Sequence, residues 1–300
     1  MIVKSGTRPI AAPPSKRFHE RFVCGTGPVA DFNVDAGIQM QNQEADQAPT
    51  ECTGYYYADT RSDADKVIYS PDFNYAATMY VEGEDPNTGG ADPLAAGQAG
   101  VLRGFVPKAS ANISALLNGE LFVANLGNWQ PFLKTLAMKV VNCDVHNALG
   151  NGNAYESILN AALASHLGVG IVTPWYKEWQ QNGPSDGVLP MPQDPSALDT
   201  PDGALPWHMH AIKGQRTENG VPYALDKSWQ GPGIGDGGWL KLSAEVLNAV
   251  LEVPGTCALI PVMTGPRFVP VASMMLQHKQ LIIPEFSQLF NTAPGTPALA

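Results

Sequence analysis

Cys52 stands in the run 46-DQAPTECTGYYYAD-59, where Pro49 and Thr50 end a turn and a helix is predicted to open with Cys52, Thr53 and Gly54 in its first turn. A thiol there lies at the positive end of the helix dipole, which favours thiolate, the nucleophilic form. Taken alone, a single cysteine is more often a buried, inert side chain, and both readings stand at this point. A thiolate nucleophile needs a base. His208 and His210 lie two apart in WHMHAIKG, so on a strand they share one face. Each also fits a merely structural histidine. His19, His146, His166 and His278 fall in no motif, and Cys24, Cys143 and Cys257 have no setting like that of Cys52. Cys143-x-x-His146 has the spacing of half a zinc site with no second half. No metal and no cofactor is therefore expected.

Such a pair must be carried by a helix early in the chain and a strand far along it. The window SPDFNYAATMYVEG places Phe73, Ala76, Met79 and Tyr80 on one helical face. Asp92-Pro93 is a start signal, an Asp cap before a proline at the first helical position, where no N–H is needed. Leu94, Gln98, Val101, Leu102 and Phe105 continue that helix until Pro107. Asn153 and Glu156 have capping-box spacing, and Tyr155, Ile158, Leu159, Ala162 and Leu163 form an apolar stripe ended by Gly168. GVGIVTPW reads as a buried strand, and a Pro-rich loop from about 180 to 206 follows it. HMHAIKG, VPYALDKSW and GGWLKL then read as successive antiparallel strands with Gly-rich turns. Helices first and strands later indicate an α+β fold and not a wound parallel sheet.

Composition agrees. Charged residues are 15% of the 300, well below the roughly 25% of average domains, while 30 glycines and 26 prolines imply frequent turns. The net charge of −10 argues against nucleic acid or an anionic membrane as the main partner, since both need clustered cations. No run of eighteen apolar residues exists to span a bilayer, and the opening MIVKSGTRPIAAPPSKRF lacks the apolar stretch of a secretion signal. Four scattered cysteines suit a reducing compartment.

The stretch 226-DKSWQGPGIGDGGWLKL-242 resembles the Asn-Ser-Trp-Gly…Trp-Gly-x-x-Gly-Tyr signature of papain-like cysteine peptidases, through Ser228-Trp229 and Gly235-Asp236-Gly237-Gly238-Trp239. HMHAIKG resembles the family's histidine strand, in which a glycine follows the catalytic histidine by six. That register selects His208, with Gly214, over His210. Asp46-Gln47 with Cys52-Thr53-Gly54 resembles the Cys-Thr form of bacterial and bacteriophage members. The windows 75–107 and 155–175 resemble the family's two helices joined by an acidic loop and its later helix and strand.

The resemblance implies a papain-like α+β fold, a helical half and an antiparallel, barrel-like β half with a cleft between. It spans about 31–265, with an insertion at about 108–150, an extended arm at 1–30 and an extension at 266–300. It implies hydrolysis of a peptide or protein substrate by Cys52, with His208 as base, Gln47 and the Cys52 N–H as oxyanion donors and Trp229 as a shield. Three positions depart from the family. Lys227 occupies the place of the histidine-orienting Asn, and a lysine cannot accept an imidazole N–H. Its neighbour Asp226 would face the opposite side of the strand unless a bulge intervenes. Gln47 precedes Cys52 by five and Gln43 by nine, where the family has six. Pro49 replaces a cysteine that secreted members pair in a disulfide, consistent with the cytoplasm or a virion. The rival expectation is a weak or inactive papain-like module built into a larger assembly such as a phage particle. The tail after 265, with Phe268, Met274, Leu281, Phe286 and Phe290, is apolar enough to dock on a neighbouring subunit, so an oligomer or assembly component is expected.

Overall fold

The computed structural model describes residues 29–35, 37, 52–83, 91–105, 107–108, 138–143, 154–180, 185–194, 207–253 and 255–263. In chain order these form β1 (Phe32–Asn33), α1 (Cys52–Asp65), α2 (Pro71–Glu82), α3 (Pro93–Arg103), β2 (Met138–Cys143), α4 (Ala154–Ser165), β3 (Val169–Pro174), α5 (Lys177–Gln180), β4 (Trp207–Glu218), β5 (Val221–Lys227), β6 (Trp239–Ser243), α6 (Ala244–Leu251) and β7 (Cys257–Met263). One antiparallel sheet runs β2-β7-β3-β4-β5-β6, with β1 also paired to β4. The fold is α+β, as expected. Residues 1–28 of the expected arm, Gln43, Gln47, His146 and the tail after 265 lie outside the described residues. Of the expected insertion, Met138–Cys143 is an edge strand of this same sheet.

The helix starts follow the capping chemistry. Ser70 accepts the Phe73 N–H ahead of Pro71, and Asp92 accepts the Leu94 N–H at 2.7 Å ahead of Pro93. Gly83, at φ 71°, closes α2 by donating its N–H to the Met79 and Tyr80 carbonyls.

Helix α1 is enclosed on all sides. Tyr55, Tyr56 and Tyr57 are all fully buried, as are Thr60 and Ser62. Those hydroxyls return to their own helix, Thr60 to the Tyr56 carbonyl at 2.7 Å and Ser62 to the Ala58 carbonyl at 2.6 Å. Gly54 lets the start of α2 come close, since a Cβ there would stand 2.6 Å from the Pro71 carbonyl oxygen. Alternation along the strands then makes two cores. Val172, Met209, Ala211, Trp229 and Leu259 face α1, α2 and α3. Ile171, Ile212, Ala224, Leu240 and Ile260 face α4 and α6.

Candidate active site

The histidine strand forms as predicted, and both imidazoles are completely buried on β4. Their surroundings differ. His210 is held at both nitrogens, with Nδ1 2.9 Å from Asp226 Oδ2 and Nε2 2.9 Å from Thr173 Oγ1. His208 has Nε2 3.3 Å from the Ser228 carbonyl, while Nδ1 has no partner among the described residues. A carbonyl only accepts, so the Nε2 contact places the proton on Nε2 and leaves the lone pair on Nδ1. Trp175 packs against both rings, with centroids 4.5 Å from His208 and 5.1 Å from His210. Burial pushes the His208 pKa down to about 4, against an opposing pull from Asp226 and the Ser228 hydrogen bond. Burial also lowers His210, with Asp226 again opposing. Both rings are therefore neutral at pH 7. In neutral His210, Nδ1–H donates to Asp226 and Nε2 faces the Thr173 hydroxyl, whose single hydrogen also reaches the Pro174 carbonyl at 3.0 Å.

Lys227 does not approach either imidazole. The pairing of β4 with β5 shifts register between Ile212 and Gly214, and beyond that shift Asp226 stands opposite Ile212 and Lys227 opposite Ala211. Asp226 thus shares the imidazole face, and Lys227 points into the helical half. There Nζ lies 2.6 Å from Asp35 Oδ2 and 2.7 Å from Asp59 Oδ1. Lys213, the residue at the shift, lies 2.6 Å from Asp63 Oδ2 and 3.2 Å from Asp59 Oδ2. Burial alone would raise the Asp59 carboxyl, but the two ammonium groups outweigh it and hold it below its ordinary range. Burial likewise works against the charges of Lys213 and Lys227, and the carboxylates overcome it and raise both. Burial raises Asp63, and Lys213 offsets this only in part. Asp35, Asp59 and Asp63 each bring a carboxylate oxygen within 4.8 Å of the others. The two lysines bond to all three, so the chemistry here is ion pairing and not metal ligation.

Cys52 opens α1 at the position predicted. The first turns of α1 meet the β half at Trp229, whose ring lies 6.4 Å from both Tyr55 and Tyr56. Trp229 follows Ser228, the anchor of His208, and reaches its fully buried place through a left-handed backbone, φ 58°. Around the imidazoles, His208 Nδ1, Asp226 Oδ1, Ser228 Oγ and Trp175 Nε1 have no hydrogen-bond partner among the described residues, and neither do Trp229 Nε1 and Thr53 Oγ1. Sequence reading missed Thr173 and Trp175. A polar residue in the otherwise apolar GIVTPW strand was the available signal for the first.

The sequence matches no family model and no curated relative. Solved structures do match. Xylellain, a cysteine protease from Xylella fastidiosa, aligns with TM-score 0.59 at 14% identity, over 87% of this chain and 96% of its own. Digestive procathepsin L 3 of Tenebrio molitor larval midgut aligns with TM-score 0.55 at 14% identity, over 87% and 76%. The bromelain protease from Ananas comosus gives 0.52 at 13% identity, over 79% and 100%. The fold is that of the papain-like cysteine proteases.

Proposed function

We propose that this chain is a cysteine peptidase acting on peptide or protein substrates, with Cys52 as nucleophile and His208 as base. Supporting this are the state of His208, neutral, anchored at Nε2 and with no Nδ1 partner among the described residues, and the place of Cys52 at the start of α1. As Cys52 Sγ attacks the scissile carbonyl carbon, its proton passes to His208 Nδ1. The tetrahedral oxyanion is met by Gln47 and the Cys52 N–H, as the family resemblance implies. When the C–N bond breaks, the same proton goes to the leaving amine, and water later cleaves the thioester with His208 again as base. Trp229 and Trp175 exclude water from the imidazole.

The test is hydrolysis of a mixed peptide library, read by mass spectrometry, by wild type, Cys52→Ala and His208→Ala. Cleavage by wild type that both variants lose supports the reading, and cleavage that survives Cys52→Ala overturns it. The complete burial of His208 favours a second reading: a papain-like module with weak or no turnover, carried in the cytoplasm or a virion as part of a larger assembly. That reading expects no cleavage, together with oligomers in light scattering that are lost on truncation at residue 265.

A further inference from the structure

We infer that Asp226 is the positioning carboxylate of this site, fixing His210 against Thr173 and serving as the counter-charge to the imidazolium that forms on His208. The inference rests on the peptidase reading for the identity of the base, and on geometry for the rest. A proton arriving at His208 creates a cation with no solvent exposure, and a buried cation needs a compensating charge. Among the described residues the groups around the two rings are few. From β3 comes the Thr173 hydroxyl, from the segment after β3 the Trp175 ring, and from β5 and its end Asp226 and the Ser228 carbonyl. Lys213 and Lys227 are on β4 and β5 as well, but they pair with the acids of the helical half. Asp226 is thus the anionic side chain bonded on the imidazole face. Its Oδ2 holds His210, and its buried Oδ1 has no partner among the described residues, so part of its charge is left uncompensated.

His210 is the second half of the device. Its ring centroid lies 5.2 Å from that of His208, against the same face of packing supplied by Trp175. With Nδ1–H donated to Asp226 and Nε2 held 2.9 Å from the Thr173 hydroxyl, it has no open nitrogen and does not compete with His208 for the Cys52 thiol proton. Asp226 therefore decides which of two neighbouring histidines is the base. The carboxylate acts through His210 and across the ring pair. The asparagine expected from the family resemblance would instead have occupied position 227.

Asp226→Asn tests this with little change of shape, since the amide oxygen still accepts from His210 while the charge is lost. The reading is the second-order rate of iodoacetamide alkylation at Cys52, by peptide mass spectrometry, from pH 5 to 9. Asp226→Asn should slow alkylation at pH 6 about tenfold or more and move the apparent thiol pKa upward, because the ion pair it would form with His208 is weakened. Asp226→Glu should recover most of the wild-type rate. Equal rates for wild type and Asp226→Asn overturn the inference while leaving the peptidase reading intact. Equal rates for wild type and His208→Ala overturn the peptidase reading instead. In that case histidine NMR decides for Asp226: Asp226→Asn must lower the titration midpoint of His208, and an unchanged midpoint overturns the counter-charge. Should Asp226→Asn fail to fold, Asp226→Glu takes its place in the NMR, and a midpoint that stays at the wild-type value supports the carboxylate while a fall of a full unit overturns it.

Discussion

Replacing Lys227 by asparagine restores the residue that the family resemblance leads one to expect, and the structure gives that change a definite and unfavourable outcome. The Lys227 ammonium is 1% exposed and bonds Asp35 at 2.6 Å and Asp59 at 2.7 Å. It belongs to a cluster of three carboxylates and two ammonium groups completed by Asp63 and Lys213. Lys227→Asn would leave those three acids with Lys213 alone. Removing one partner of a buried pair costs roughly 3–5 kcal/mol, because a charge is left uncompensated in the interior. Asp59 keeps Lys213 at 3.2 Å, but the Asp35 side chain, only 5% exposed, loses its ammonium partner, so a loss within that range of about 3–5 kcal/mol is expected. Urea unfolding at pH 7.5 should show the midpoint falling with the slope unchanged. Peptide hydrolysis and Cys52 alkylation should gain nothing, since position 227 faces away from the imidazoles. A Lys227→Asn protein within about 1 kcal/mol of wild type, and with faster alkylation, would mean that Lys227 does face the histidines.

Three further outcomes follow from the same packing. His208 has a folded pKa of about 4 against roughly 6.5 when unfolded, so its contribution is full above pH 6.5 and is lost as the pH falls toward 4. Between pH 7.5 and 5 this removes about 2 kcal/mol, and His208→Gln should flatten that part of the urea-midpoint profile; an undiminished acid loss in the variant would contradict the depressed pKa. The Tyr56 hydroxyl accepts the Gly170 N–H and donates to the Leu259 carbonyl, both at 3.0 Å, filling a gap in the ladder between β3 and β7. Tyr56→Phe should cost about 1–3 kcal/mol and lower the melting temperature, and an unshifted melt would refute the bridge. Gly170→Ala should be harsher, because its Cβ would stand 2.5 Å from the Tyr56 ring carbon Cζ, and a soluble yield equal to wild type would contradict that contact.

Much of this arrangement is legible in the sequence. Ser70-Pro71 and Asp92-Pro93 announce helix starts by local chemistry that needs no tertiary partner. The strands around HMHAIKG, VPYALDKSW and GGWLKL were readable because their Gly-rich turns bound them. Helix α1 is different, since three successive buried tyrosines leave no amphipathic stripe, and its extent came only from the packing of α2, α3 and the sheet around it. Helix α6, capped by Ser243, and strand β7 went unassigned because they lie in one short apolar stretch, SAEVLNAVLEVPGTCALIPVM, where helix and strand periods are hard to separate. The roles of Asp226 and Lys227 hang on a bulge that the sequence raises as a condition and does not place. Which of two adjacent side chains faces the imidazoles depends on a register shift at Lys213, and a shift of one residue reverses every face beyond it. Neither residue carries that information locally.

The most direct test of the Cys52–His208 pairing is the alkylation rate of Cys52 by iodoacetamide at pH 6, measured in wild type and His208→Ala with Cys257 as the internal reference. Cys257 is a buried cysteine on β7, in no disulfide. The expected result is rapid, selective modification of Cys52 in wild type that falls at least about tenfold in His208→Ala, as for a thiol that loses its base. Slow modification of Cys52 at the same rate in both proteins would contradict the pairing.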